Sequence, residues 1–344
     1  MHERMAIATT RKPFQIGFFS YLEGHELPSE IYRKAVETYI RADELGIDKA
    51  WVAHHHFGHH GGLPTPLVFF ASLAGRTKHL GFGTAVLTLP TENAIHLAED
   101  AAVFETLHPG RLDLGFGTGF GSDAVLDTFG QSNKNRREVY NEAILRLRDA
   151  FNGEILNSAG DTLYPEAPQL NRRLWESPGS VPNVIAAARR GNGLLLSRVA
   201  IGTDRDTDEV QRELVDAYYS ALPKGVEPRI ALSRTVYPTN DPESAYQNLA
   251  RGVQAGRDSA ARQGRPQPER TMEEDFEHFS IHWGEPDQVI ATLRQEPLLG
   301  EITDLVCQLS PGTQTLEQNL EALELLATKV GPALGWTPAN AVTV

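Results

Sequence analysis

Residues 80–107 read LGFGTAVLTLPTENAIHLAEDAAVFETL, and they hold one complete unit of the fold. Leu80 to Leu87 is a short apolar run closed by a turn signal, which predicts a buried strand. Glu92 to Leu107 carries apolar residues at helical spacing behind a polar start, which predicts a helix. The same unit recurs on both sides. Upstream, Phe14 to Phe19 (FQIGFF) precedes an amphipathic stretch from Pro28 to Gly46, and Asp48 to Ala53 precedes Pro66 to Arg76. Downstream, Arg111 to Phe116 precedes the periodic segment Asn135 to Phe151, so four strand–helix units lie before residue 155.

The second half is less regular. It reads as a strand at Pro182 to Ala188, a short helix at Gly193 to Val199, a faint strand at Val199 to Gly202 and a helix at Thr207 to Leu222. Arg229 to Tyr237 then gives a seventh strand before a helix at Pro242 to Ala261, and Thr303 to Leu309 an eighth before Leu316 to Val330. Short strands alternating with longer helices predict an α/β protein with parallel βαβ units, and eight of them predict a (β/α)8 TIM barrel. A doubly wound sheet remains the alternative, because the sixth strand is faint. Residues 1–344 are expected to fold as one domain around one core.

Two stretches interrupt the repeat. Residues 152–180 are rich in Pro, Gly and Asn and read as an excursion from the barrel face or a connecting loop. Residues 256–282 form a charged insertion near the seventh βα unit, either a mobile lid over the site or a solvated excursion. An extra helix is expected at Pro286 to Gln295, capped by Gly284.

The formal charge of −13 repels nucleic acid and anionic membrane surfaces, and no basic stripe opposes it. No apolar run approaches the length of a membrane span or a signal-peptide core. The single cysteine, Cys307, sits in an apolar run and forms no intrachain disulfide, which fits a cytoplasmic protein with a buried thiol.

Chemistry concentrates after predicted strands. His54, His55, His56, His59 and His60 follow the second strand, where a barrel opens its active-site mouth. A metal site, a structural role and a metal-free catalytic or flavin-contacting role are all open to them. No later strand end near residues 117, 188 or 237 supplies the His or Asp that a barrel metallohydrolase uses. Gly115-Phe116-Gly117-Thr118-Gly119-Phe120-Gly121 fits neither a dinucleotide fingerprint nor a P-loop. Its alternating glycines suit either close backbone approach to a flat ligand or a tight βα turn. Ala186 to Gly193 (AAARRGNG) reads as a phosphate cradle at a helix start, or as surface arginines.

Taken together, WVAHHHFGHHG, LGFGTAVLTLPTENAIHLAED, HPGRLDLGFGTGFGSD and Phe129-Gly130 with Arg137 resemble the N-terminal half of bacterial-luciferase-like flavin monooxygenases. The resemblance is dense from residue 14 to 151. It thins afterwards to AAARRGNG, the segment Trp283 to Val289 and LVCQLSPG. It implies that His55, with His56 beside it, is catalytic near the flavin, and that His54 stands where the family has Glu. It further implies a non-proline cis peptide at Ala85-Val86, packed against the flavin ring. Gly117 and Thr118 stand where luciferases place a reactive Cys and a phosphate-binding Arg, which moves expected phosphate binding toward Arg189, Arg190 and the Gly191-Asn192 backbone; Gly117, Thr118, Gly119 and Ala188 are further expected cofactor contacts.

The resemblance implies reduced FMN from a separate flavin reductase, oxygen transfer to a small organic substrate, and a homodimer. A deazaflavin-dependent oxidoreductase of the same superfamily, a metal-dependent barrel hydrolase and a non-catalytic flavin binder are the competing readings.

Overall fold

The computed structural model describes residues 14–24, 26–57, 62–119, 123–131, 135–200, 203, 205–262, 268–309 and 314–342. Ten strands are present among them: β1 (Gln15–Ser20), β2 (Lys49–Val52), β3 (Gly81–Thr84), β4 (Leu87–Thr88), β5 (Leu112–Gly117), β6 (Leu174–Glu176), β7 (Gly193–Leu196), β8 (Ile230–Pro238), β9 (Ile281–Gly284) and β10 (Asp304–Gln308). Eight of them close a parallel ring in the order β1, β2, β3, β5, β6, β7, β8, β10, and the seam is β10 pairing with both β1 and β8. The chain is a (β/α)8 barrel.

The two remaining strands raise the rim. β8 is nine residues long; its first half pairs with β10 and its last four residues, Thr235 to Pro238, pair with β9. β4 extends β5 in the same way, with Leu87 opposite Phe116.

Helices pack outside the ring. α1 (Pro28–Glu44), α2 (Pro66–Ala74), α3 (Ala94–Leu107), α4 (Asp123–Thr128) and α5 (Arg136–Phe151) belong to the first half. α6 (Val181–Arg189), α7 (Thr207–Ala221), α8 (Pro242–Arg262), α9 (Met272–His278), α10 (Pro286–Leu293) and α11 (Leu316–Leu325) follow. Local chemistry sets their starts: Asn93 and Asn135 accept backbone N–H groups at the heads of α3 and α5, and α1, α2 and α6 begin with Pro in the first turn. One apolar cluster runs from Phe14 to Trp336 between the strands and these helices.

Inside the barrel, register and alternation stack the inward side chains in layers. Lys49 lies at the bottom, 3.0 Å from Asp113 and 3.2 Å from Asp304, each carboxylate offsetting its burial. Trp51 and Trp175 cross edge to face above it at 5.7 Å. They leave no room for side chains at Gly83 and Gly193, where a Cβ would strike the indole rings. Leu195, Ala231 and Val306 cover the two tryptophans.

Four sequence expectations in the second half change. Pro182 to Ala188 is helix, because Val184, Ala187 and Ala188 repeat at helical spacing and Pro182 begins the turn. Gly193 to Leu196 is a strand rather than a helix; a fully buried parallel strand shows no alternation by which to tell the two apart. Val199 and Ala200 are not in a strand, and Ile201 and Gly202 lie outside the described residues. The fifth strand of the ring is β6, within the stretch read as loop and only three residues long.

The segment 256–282 is also more regular than its charge suggests. It holds the end of α8, all of α9 and the first residues of β9. Arg257 ties it down, donating to Pro268 O, Arg270 O and Asp275 Oδ2, the last at 2.5 Å. α10 is capped by Glu285 and Gln288, while Gly284 precedes the cap with φ +114. Cys307 is fully buried and free.

Candidate active site

Beyond Val52 the chain leaves β2 at the top of the barrel, and three imidazoles follow with different surroundings. His54 is buried. Its Nδ1 accepts the Thr88 N–H at 3.1 Å, which fixes the proton on Nε2, and Nε2 donates to Pro64 O at 3.0 Å. Burial, with His56 and His55 alongside, pushes its pKa down to about 3. His54 is a neutral strut joining β2 to β4.

His56 is half-buried. Thr91 donates its hydroxyl proton to Thr88 O at 2.7 Å, so His56 Nε2 donates to Thr91 Oγ1 at 3.2 Å. The ring packs on His54 and Phe129, each at 4.4 Å. His55 is exposed, its N–H bonded to Leu63 O, and its ring lies 6.1 Å from Tyr21. His59 and His60 lie outside the described residues.

His54, His56 and Glu92 bring possible ligand atoms within 4.8 Å of one another. Coordination through His54 Nε2 would move its proton to Nδ1, against the Thr88 N–H. Through Nε2 this trio would hold a cation only by breaking both hydrogen bonds of His54, and through Nδ1 only by displacing the Thr88 N–H.

The wall beside His54 is the break between β3 and β4. Ala85-Val86 is a cis peptide there, and Ala85 N–H donates to Val52 O at 2.8 Å. The Thr84 hydroxyl bridges the gap in the ladder, donating to Gly115 O at 2.9 Å and accepting the Gly115 N–H at 2.8 Å.

The glycine run of β5 fits against this break. A Cβ at Gly115 would strike Thr84 O, one at Gly117 would meet Val86 Cγ2 at 2.7 Å, and one at Gly119 would meet Thr88 Cγ2 at 2.5 Å. Among the described glycines of this run, the missing side chains make room for protein atoms; Phe120 and Gly121 lie outside the described residues. Gly119 also has φ +74, which suits glycine alone at no strain.

These elements enclose a cavity of about 260 Å3 at the barrel mouth. Ala85, Val86 and His55 line one side of it, Leu195, Ala231 and Val306 the floor, and Arg198 and Ser233 the other side. His56 is not among its lining residues. A larger space of about 530 Å3 lies outside the barrel between the end of β1, α1 and α11, lined by Lys34, Glu23 and Glu26. It touches none of the strand-end groups from β2, β3 or β5.

A smaller cavity of about 70 Å3 adjoins Gly117 and Thr118. The positive end of α6 meets it, where Ser180 makes no side-chain cap, together with Asn183, Arg137 and Arg190. The stretch AAARRGNG is the end of α6 rather than the start of a helix: Arg190 is its C-cap and Gly191 has φ +73. Carbonyl groups, not free N–H groups, end a helix, so this backbone forms no phosphate cradle.

Ala188 and Asn192 are buried and Arg189 points into solvent. The Arg190 guanidinium grips Glu176 at 2.6 and 2.9 Å, and the same carboxylate accepts from Tyr140 at 2.8 Å and Asn192 at 2.8 Å. Asn192 in turn accepts from Arg148 at 2.7 Å.

The model of the luciferase-like monooxygenase family matches residues 15–300 of this chain. The chain belongs to that family. Its fold is similar to the monooxygenase RslO1 from Streptomyces bottropensis, with TM-score 0.78 and 21% identity over 93% of this chain and 99% of that one. It is also similar to the oxygenating constituent of 3,6-diketocamphane monooxygenase of Pseudomonas putida, in complex with FMN, with TM-score 0.74 and 17% identity over 94% and 99%. At these identities the likeness shows the fold. In sequence, the F420-dependent glucose-6-phosphate dehydrogenase 2 of Rhodococcus jostii is 29% identical over 63% of this chain and 68% of that protein. The chain spans about half the length of the first curated relatives it matches: 64%, 39% and 49%.

In this luciferase-like barrel, His54 and His55 meet Ala85 and Val86 at one cavity, which His56 does not line. The sequence reading missed Glu176, Tyr140 and Arg198. Glu176 ends a strand too short to show a period, and Arg198 follows the strand read as helix. Tyr140 carried a usable signal: it heads the apolar face of α5 as a polar-tipped aromatic, which needs a buried partner.

Proposed function

We propose that this luciferase-like chain is a monooxygenase that receives reduced FMN from a separate reductase and oxidises a small organic substrate with O2, as a cytoplasmic homodimer. The observation that carries the reading is the apolar slot between Ala85-Val86 and Leu195, Ala231 and Val306, with His55 at its rim and beside it a side cavity lined by Arg137 and by the paired Arg190 and Glu176. Those residues fit a flavin: a flat ring needs apolar walls without charge, and its phosphate needs donors at one end. Arg137 and the positive end of α6 would hold the phosphate, and Ala85 and Val86 the ring.

Reduced FMN, when bound, supplies the two electrons that split O2, one oxygen atom entering the substrate and the other leaving as water. His55 then holds or passes a proton at the cavity rim, a task suited to an imidazole. His56 supports it indirectly, by packing behind His54. Thr84 and the β5 glycines keep the wall closed.

Anaerobic titration with FMN, reduced FMN and F420 tests this, followed by oxygen consumption with reduced FMN. Binding of reduced FMN and oxygen uptake are expected. Preferential binding of F420 would replace the reading with hydride transfer, as in the F420-dependent relative. Binding of neither would end both.

A further inference from the structure

Arg198 differs from the other buried or half-buried arginines in facing the main cavity. Arg190 is paired with Glu176, Arg257 with Asp275, and fully buried Arg234 with Glu296 and Asp208. Arg111 and Arg229 donate to backbone carbonyls and Arg148 to Asn192 Oδ1, away from that cavity. Arg198 is half-buried, lines the main cavity, and makes one hydrogen bond among the described residues, to Thr235 Oγ1 at 3.3 Å. No Asp or Glu lines that cavity among the described residues.

A guanidinium presents five N–H donors, so among the described residues Arg198 has donors beyond its bond to Thr235 to turn toward the cavity. In a chain of net charge −13, a cation in an apolar cavity without a carboxylate partner is not placed there for stability.

Its position decides what it meets. β8 is four steps from β3 around a ring of eight, so Ser233 and Thr235 stand directly across the barrel from the Ala85-Val86 wall. Alternation turns Ala231, Ser233 and Thr235 to the same inward side, Ala231 as floor and Thr235 as the anchor of Arg198 at the rim. The side cavity with Arg137 and the head of α6 lies over β5 and β6 instead.

We infer that Arg198, with the Ser233 hydroxyl beside it, is a subsite for an anionic oxygen group of the substrate, so that the substrate is a small apolar molecule carrying a carboxylate or similar acid. This rests on the proposed function for the cavity's other wall, where the flavin ring would lie. The shared chemistry has a second source, the flavin phosphate, and the test separates the two.

The probe is 4-fluorobenzoate, read by fluorine NMR on the full chain without flavin, with 4-fluorobenzamide as the neutral match. Wild type is expected to bind the acid more tightly than the amide. Arg198→Met is expected to weaken the acid about tenfold or more and to leave the amide unchanged, with Arg198→Lys between them. FMN and riboflavin titrations of the same variants complete the test, and unchanged FMN affinity is expected. Equal binding of acid and amide to wild type, or of the acid to wild type and Arg198→Met, would overturn the subsite. Loss of FMN but not riboflavin affinity in Arg198→Met would assign Arg198 to the flavin phosphate and overturn it as well. Failure of wild type to bind any flavin would instead refute the proposed function while leaving the acid-binding result readable.

Discussion

The Thr84 hydroxyl donates to the carbonyl of Gly115 and accepts its amide proton, at 2.9 and 2.8 Å, so one side chain stands in for a strand neighbour. In a parallel strand the N–H and C=O of one residue point to the same side, and at Gly115 that side faces the gap where β3 has stopped and β4 has not begun. Both backbone groups are buried, and the chain offers them this one partner in the ladder.

Thr84→Val keeps the shape and removes both bonds. Two buried backbone groups left unpaired cost about 2–4 kcal/mol. A matching fall in urea stability is expected, with Thr84→Ser close to wild type. Equal stability of the Val variant would show that Gly115 finds other partners.

His54 predicts a pH dependence. Its folded pKa is lowered to about 3, first by burial and then by the neighbouring imidazoles, against 6.5 for the free side chain. The unfolded chain therefore binds more protons between those values, and the stability this group contributes is present above pH 6.5 and lost as pH falls toward 3. The slope is at most about 1.4 kcal/mol per pH unit for one proton. Glu296, held at about 2 first against burial by His282 and Arg234, adds its own loss only below the usual Glu range. Urea midpoints from pH 6.5 to 4.5 should fall for wild type and fall less for His54→Gln. Identical slopes would mean that His54 does not stay neutral in the folded chain.

The first four strand–helix units were legible because short apolar strands alternate there with longer helices whose starts carry a Pro or an Asn cap, as at Pro28, Asn93 and Asn135. What failed was the stretch from Leu174 to Leu196. There the strands are three and four residues long and buried on both faces, so neither period nor length separates them from helix. That local error carried into the site. At a helix start Arg189 and Arg190 read as anion ligands, whereas the pairing of Arg190 with Glu176 spans elements that only the tertiary fold brings together.

Three arginines therefore diverge on substitution. Arg190→Met leaves Glu176 buried without its counter-charge and is expected to cost about 3–5 kcal/mol in denaturant unfolding. Arg189→Ala, on the exposed end of α6, is expected to stay within about 0.5 kcal/mol and to leave FMN affinity unchanged. Arg137→Ala should weaken FMN about tenfold and riboflavin not at all, because it meets the phosphate end. Comparable loss with both flavins would remove Arg137 from that role.

His55 is the imidazole whose loss should separate chemistry from structure. His54 has both ring nitrogens engaged with the backbone, and His56 is bound to Thr91 and wedged against Phe129; His55 lies exposed on the cavity rim. His55→Ala should leave denaturant stability within about 0.5 kcal/mol and FMN affinity within a few-fold. Its oxygen-coupled turnover should fall about a hundredfold, the usual loss of a proton-transfer group. His56→Ala, by contrast, should lose about 1 kcal/mol of stability with the Thr91 bond and change turnover less. Turnover of His55→Ala equal to wild type, or a fall matched by His56→Ala at equal stability, would take the proton-handling role from His55.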